Sequence, residues 1–310
     1  MSTFFSRIGL GTKLSLLTGT SVAVLFLVFT FLLSNKASQQ LETLAVEDLH
    51  NQSTGVQDMV EMFNSSLSEE VESYTRLFSS FLPQPVTIDQ AQRREINGIS
   101  VPLLKGGESD LHENNAIVDD FLTRTGAIAT LFVRSGDDFV RVATSLRKEN
   151  GDRAIGTKLD KASPAFAPAL KGETYRGLAL LFGKRYITQY QPVKDNNGNT
   201  IAILFVGVDI THSWEIMRNK ILGRQLGDSG RFYVLDRNNG KNYGNYLFHP
   251  SEEGKRPQWD ERDLNTVLQQ TTGTLEQQRP DGHRQMLSWI TVPGWNCCLL
   301  YTSDAADDLT

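Results

Sequence analysis

At 310 residues, with 39% hydrophobic and 22% charged side chains, the chain has the composition of a folded protein and room for two modest domains. A net charge of −5 supplies no basic face for a nucleic acid partner. The two cysteines, Cys297 and Cys298, are adjacent and late, so the body of the chain has neither a disulfide framework nor a cysteine metal site.

Residues 1–13 form a short leader containing Arg7 and Lys13. Leu14 to Leu33, LSLLTGTSVAVLFLVFTFLL, is an uncharged run that spans ~30 Å as a helix, the thickness of a bilayer core. The basic leader places the N-terminus in the cytoplasm and residues 34 onward outside. The run is longer than a signal-peptide core and "LLSNKASQQ" offers a poor cleavage site, which favours an uncleaved anchor. From 34 to 82 the sequence predicts one long helix. Val56, Val60, Phe63, Leu67, Val71, Tyr74, Phe78 and Phe81 recur at steps of three and four, a stripe that packs within the chain, against a second copy, or both. "FLPQP" ends it.

Residues 83–115 read as polar and irregular, followed by the end of a short helix at Asp119–Arg124. "AIATLFVRSGDDFVRVATSL" predicts a hairpin about Ser135-Gly136-Asp137-Asp138. "ASPAFAPALKGE" is a short helical or irregular connector, and "KRYITQYQPVKDNNGNTIAILFVGVDI" a second hairpin about Asn196–Asn199. The two hairpins make a sheet of at least four strands. A linking helix over 210–226 leads to a second module at 227–297, with strands about an Asn-Gly turn, a helix in "DERDLNTVLQQ", and further strands about Asp281-Gly282. The fold class is α+β: a membrane helix, a stalk helix and two modules, each with an antiparallel sheet.

In the first module, alternation places Tyr186, Thr188 and Tyr190 on one face of a strand, and Ile201, Ile203, Phe205, Gly207 and Asp209 on one face of the next. Phe139, Arg141, Ala143 and Ser145 share a face of the first hairpin. A guanidinium in an apolar strand needs a partner, and its planar fork suits a carboxylate. Arg141 is therefore the leading candidate for holding an acidic ligand, the competing reading being a pair with Asp209 or escape to solvent. Tyr175, Tyr186 and Tyr190 can wall the pocket and donate hydroxyls. Thr144, Arg134 and Lys184 are weaker candidates, and strict alternation puts Thr144 opposite Arg141 unless a bulge intervenes. His249, before Pro250, reads as a structural turn, since His212 and His283 stand at no ligand spacing. No metal or cofactor is expected. Motifs for a zinc hydrolase, a serine hydrolase, a phosphate loop or a dinucleotide fold are missing, so no enzyme activity is expected.

"RVATSLRKENGDRAIGT", "SPAFAPALKGETYRG", "FGKRYITQYQPVKDNNGNTIAILFVGVDI" and "LGDSGRFYVLDRNNG" together resemble the double-Cache sensor region of bacterial methyl-accepting chemotaxis proteins, more narrowly the Cache_3–Cache_2 fusion type. The resemblance implies two PAS-like modules on a long helix, the first (83–209) membrane-distal and the second membrane-proximal. It further implies a sensor in the periplasm, a bacterial inner-membrane anchor and a homodimer. A HAMP domain and a methylated cytoplasmic hairpin engaging a chemotaxis kinase and adaptor would follow. The same modules also serve membrane histidine kinases and diguanylate cyclases. "FVRVATSL" lacks the Trp-Tyr pair of amino-acid-sensing Cache domains, which leaves small organic acids as the expected ligands. "CLLYTSDAADD" resembles a translated transposon sequencing adapter, so the native sequence is expected to stop near Cys297, with 298–310 adapter-derived.

Overall fold

In the computed structural model, residues 10–226, 230–238, 240–278, 282 and 284–304 are described. The leader up to residue 9, Asn239 of the predicted Asn-Gly turn, Asp281 of the predicted Asp281-Gly282 turn, His283, and residues 305–310 lie outside them.

A single helix, α1 (Leu10–Phe81), runs from the apolar segment into the folded body. Thr18–Lys36 is long and apolar enough to cross a membrane, and none of it is packed inside the molecule. The stalk stripe packs within the chain: Val56, Val60, Leu67, Val71 and Phe78 are buried, and Phe63, Tyr74 and Phe81 pack partly buried against the same core.

Residues 83–115 are not irregular. β1 (Val86–Ile96), β2 (Ile99–Gly106) and β3 (Ser109–Asp110) form an antiparallel sheet. β1 escapes the alternation test because it is exposed on both faces for most of its length. The signal that does reveal it is Asn97-Gly98 between Ile96 and Ile99: both turn residues have positive φ, 46° and 78°, as a tight two-residue hairpin requires.

Helix α2 (Asn115–Thr125) buries Val118 and Phe121, with Phe121 against Phe78, Phe81 and Tyr74 of α1. The first module's sheet comprises β4 (Ile128–Ser135), β5 (Asp138–Thr144), β6 (Tyr175–Leu181), β7 (Lys184–Lys194) and β8 (Thr200–Asp209), in the order β5-β4-β8-β7-β6. Both predicted hairpins are present and β6 is a fifth strand. One face of the sheet lies on α1 and α2. The other is covered by a lid, the segment from Leu146 through helix α3 (Phe166–Lys171).

The linking helix α4 (Thr211–Leu222) is shorter than predicted, because Gln225–Leu226 pair as β9 with the second sheet. That sheet continues with β10 (Gly230–Asp236) and β11 (Tyr246–Phe248), is covered by α5 (Glu261–Gln269), and is completed by β12 (Thr272–Gln278), β13 (Arg284–Val292) and β14 (Cys297–Asp304). The strand order is β11-β10-β14-β13-β12, so the second module extends past the predicted boundary at Cys297. The physical reason is the run Cys297–Thr302, whose six side chains are buried between β10 and β13. Trp214 of α4 stacks on Trp295 at 4.6 Å, and Phe63 of α1 meets Trp295 at 6.1 Å, which ties stalk, linker and second sheet together.

Candidate ligand-binding site

β4 and β5 are out of step by one residue. Leu131 pairs with Ala143 but Phe132 pairs with Arg141, so Val142 is the extra residue of a β-bulge. The consequence is a change of parity along β5. Thr144 pairs with Thr130 and Arg141 with Phe132, which puts Arg141 and Thr144 both on the lid face. Ala143, expected beside Arg141, instead joins the core on the helix side, as does Ile201.

Arg141 lies under the lid at 6% exposure. Its guanidinium sits over the Phe132 ring, 4.7 Å from the centroid. Nη1 donates to Thr157 Oγ1 at 2.5 Å, while Nε is buried with no hydrogen-bond partner. Among the described residues no carboxylate is within ion-pair distance of it. Burial lowers the Arg141 pKa, and the nearby Tyr190 acts in the opposite sense. Burial pushes the Tyr190 hydroxyl up to about 12, Arg141 pulling it back and Tyr175 adding to the rise. Tyr190 packs on Phe205 at 4.8 Å, Phe132 at 6.4 Å and Tyr175 at 6.2 Å. Gly177 leaves room for Tyr175 to fold over it, since a Cβ there would strike the Tyr175 hydroxyl.

The lid is held on the β5 edge by main-chain bonds, Arg141 N to Thr157 O at 3.0 Å and Leu159 N to Phe139 O at 2.9 Å. Arg153 pins it to α2 by a two-pronged pair with Asp119, at 2.8 and 2.5 Å, and donates to Thr144 O. Asn97 of the β1–β2 turn donates to Ile155 O at 2.7 Å. Sequence reasoning missed the Arg153–Asp119 pair and the Asn97–Ile155 bond, which join residues far apart in the chain.

The structure brings Arg141, Tyr190 and Tyr175 together, while Asp209, Thr188 and Thr144 are hydrogen-bonded to other partners. Asp209 does not pair with Arg141. It stands opposite Tyr186 and accepts from Lys184 at 3.3 Å and from Thr211 N. Burial acts upward on the Asp209 carboxyl, but the hydrogen bonds from Thr211 and Lys184 outweigh it and hold the pKa below the usual range. Lys184 is thereby engaged. Tyr186 shares the lid-side cluster but lies at the end of the strand that lines the cleft between the modules. Thr188 donates to Gly177 O, and Thr144 shares a 2.5 Å hydrogen bond with Thr130. Arg134 bonds the carbonyls of Gly136 and Thr200 at the outer turns. His249 is structural as expected, its Nδ1 accepting the backbone N–H groups of Ser251 and Glu252.

The Cache 3/Cache 2 fusion domain matches residues 34–308. The chain belongs to that family. Solved structures similar to it include the sensory domain of the Campylobacter jejuni chemoreceptor Tlp3 with isoleucine bound, 12% identical with a TM-score of 0.52, covering 88% of this chain and 98% of that one. The extracellular domain of the putative histidine kinase mmHK1S-Z2 is 12% identical with a TM-score of 0.50, covering 87% and 99%. The ligand-binding domain of Mlp24 with asparagine is 16% identical with a TM-score of 0.49, covering 88% and 97%. No curated protein matches in sequence. The Cache assignment makes the chain a ligand-binding sensor domain.

Proposed function

We propose that the chain is the extracytoplasmic part of a transmembrane receptor, anchored in a bacterial inner membrane through Thr18–Lys36, whose first module binds a small organic acid on Arg141. The observation that carries this reading is the buried Arg141 guanidinium with an unpartnered Nε and, among the described residues, no acid beside it. A ligand carboxylate supplies the missing acceptor. An amino acid also needs an acceptor for its ammonium group. The nearest named polar neighbours, Thr157, Tyr190 and Tyr175, carry no negative charge at neutral pH, which favours a simple acid. Ligand contact with lid and sheet shifts the balance between two packings of the lid on the sheet, and α1, which lies against the sheet's other face, carries the difference to the membrane.

As output we propose control of motility through a chemotaxis kinase and adaptor, on the resemblance of the quoted motifs to methyl-accepting chemotaxis proteins. A homodimer is part of this reading. Met62 of α1 and Ile216 of α4 are exposed apolar residues bordering one groove, as a face for a second copy requires.

The test is a thermal-shift series on the whole chain in detergent with acetate, pyruvate, lactate, succinate and malate beside the common amino acids. Binding to the native state raises the melting temperature by mass action. A rise that disappears in Arg141→Met supports the reading. A rise of equal size in that variant overturns it.

A further inference from the structure

The lid-side face of the second sheet is apolar along most of its length. Leu235, Leu287 and Trp289 build it with Leu264, Val267 and Leu268 of α5. The row changes character toward the β12–β13 turn. Alternation from Leu275 and Leu287 puts Gln277 and Gln285 on this same face, where they are paired in register and only 5% and 7% exposed. Gln285 Nε2 donates to Gln277 Oε1 at 2.9 Å. Packing alone would be served better by two apolar residues, because buried amides are costly unless bonded.

Beside this pair lies a cavity of 250 Å³. Tyr233, Tyr246, His249 and Trp259 wall it. Tyr233 stacks on His249 at 4.7 Å, and Tyr246 meets His249 at 4.4 Å and Trp259 edge-on at 6.5 Å. Because His249 Nδ1 accepts two backbone N–H groups, its ring is the neutral tautomer with the proton on Nε2. Among the described residues the lining contains no lysine or arginine, and Glu252 is its one carboxylate. Gln258 and Gln278 add further amides.

We propose that the second module has its own site, for a small neutral polyhydroxy compound such as a monosaccharide or polyol. An amide carries both donors and an acceptor, and so does a hydroxyl, so a glutamine-lined floor answers a row of hydroxyls group for group. Aromatic walls accept the apolar C–H face of such a molecule. Among the described residues an anion finds no cation here and meets Glu252. The volume falls below the roughly 300 Å³ at which drug-sized pockets begin, which suits a single sugar ring. The site lies in the other module from Arg141 and does not depend on the function proposed for it.

The experiment uses the whole chain in a detergent without a sugar headgroup. D-glucose, D-ribose, myo-inositol and glycerol are titrated by calorimetry, with choline and succinate as contrasts. At least one of the four is expected to bind saturably. Trp259→Ala and Gln277→Leu should each weaken it by roughly tenfold or more, and Arg141→Met should leave it unchanged. A second readout needs no destabilising change. Trp214, Trp289 and Trp295 are buried, so Trp259 is the tryptophan a ligand in the cavity touches. A ligand-induced shift in emission should vanish in Trp259→Phe. Binding by none of the four, binding of choline alone, or binding that survives both substitutions with an emission shift kept in Trp259→Phe overturns the proposal.

Discussion

The two sheets are built alike and bury different chemistry. Each rests one face on α1 and covers the other with a helix-bearing lid. Beneath the first lid lies one permanent positive charge among aromatic rings. Beneath the second lies a hydrogen-bonded amide pair beside aromatic rings, with no cation among the described lining residues. Architecture therefore says where a ligand goes, and the polar exceptions within an otherwise apolar row say which ligand. A charge that lacks a counter-charge leaves the site with a standing demand. An amide pair satisfies itself and asks for much less.

That contrast is open to attack in four ways. Arg141→Met should have the largest effect on binding: removing a charged hydrogen-bond donor worth about 1.5–3 kcal/mol lowers carboxylate affinity by roughly 10- to 100-fold. The same variant, unliganded, should melt no lower than the parent, because a buried unpaired charge is itself destabilising. In the second sheet the order reverses. Gln277→Leu breaks the bond to Gln285 and should cost about 1–3 kcal/mol in urea unfolding, whereas the double change Gln277→Leu/Gln285→Leu should recover most of the loss. Equal costs for single and double variants would mean that the amide pair is not a unit.

Acidity provides a third probe. Burial lowers the His249 pKa, assisted by Lys255 and opposed by Glu252 and Glu253. The unfolded chain therefore takes up this proton first as pH falls. The stability that His249 contributes is present above its ordinary value near 6.5 and is lost as pH drops toward the lowered folded value. Protonation at Nδ1 also removes the acceptor for Ser251 and Glu252. Polyol affinity should weaken as pH falls below 6.5, while carboxylate binding in the first module holds, since Arg141 stays charged. A parallel decline of both affinities would refute the distinction. The smallest effect is expected from Asp119→Asn, which loosens the lid pinned by Arg153. The pair is partly exposed, so ~1 kcal/mol or less is at stake, read as faster ligand release.

The stalk, both hairpins and the linking helix were legible because each rests on local rules: a three-four stripe, a turn with glycine at positive φ, an apolar run of strand length. β1 was not, because a strand exposed on both faces has no alternation to read. β9 was too short to register. Arg141 was legible as an expensive residue in an apolar strand, and Tyr190 as its neighbour by alternation. The pairing of Asp209 with Lys184 was not, because only strand register tells which end of the sheet a side chain occupies. Gln277 and Gln285 passed unnoticed for the opposite reason: in "GTLEQQRPDGHRQMLSW" they look like ordinary solvent-facing polar positions, and the chain does not announce that a lid covers them.

The extra residue at Val142 has a bearing on how relatives are to be compared. A strand that is one residue shorter at this point, with regular pairing, would still point its counterparts of Arg141 and Thr144 under the lid. An alignment that sets its one-residue gap at Val142 therefore keeps cavity-facing positions in register. A gap set elsewhere in β5 would exchange inward for outward positions between gap and bulge, and ligand preferences transferred across it would be drawn from the wrong side of the sheet.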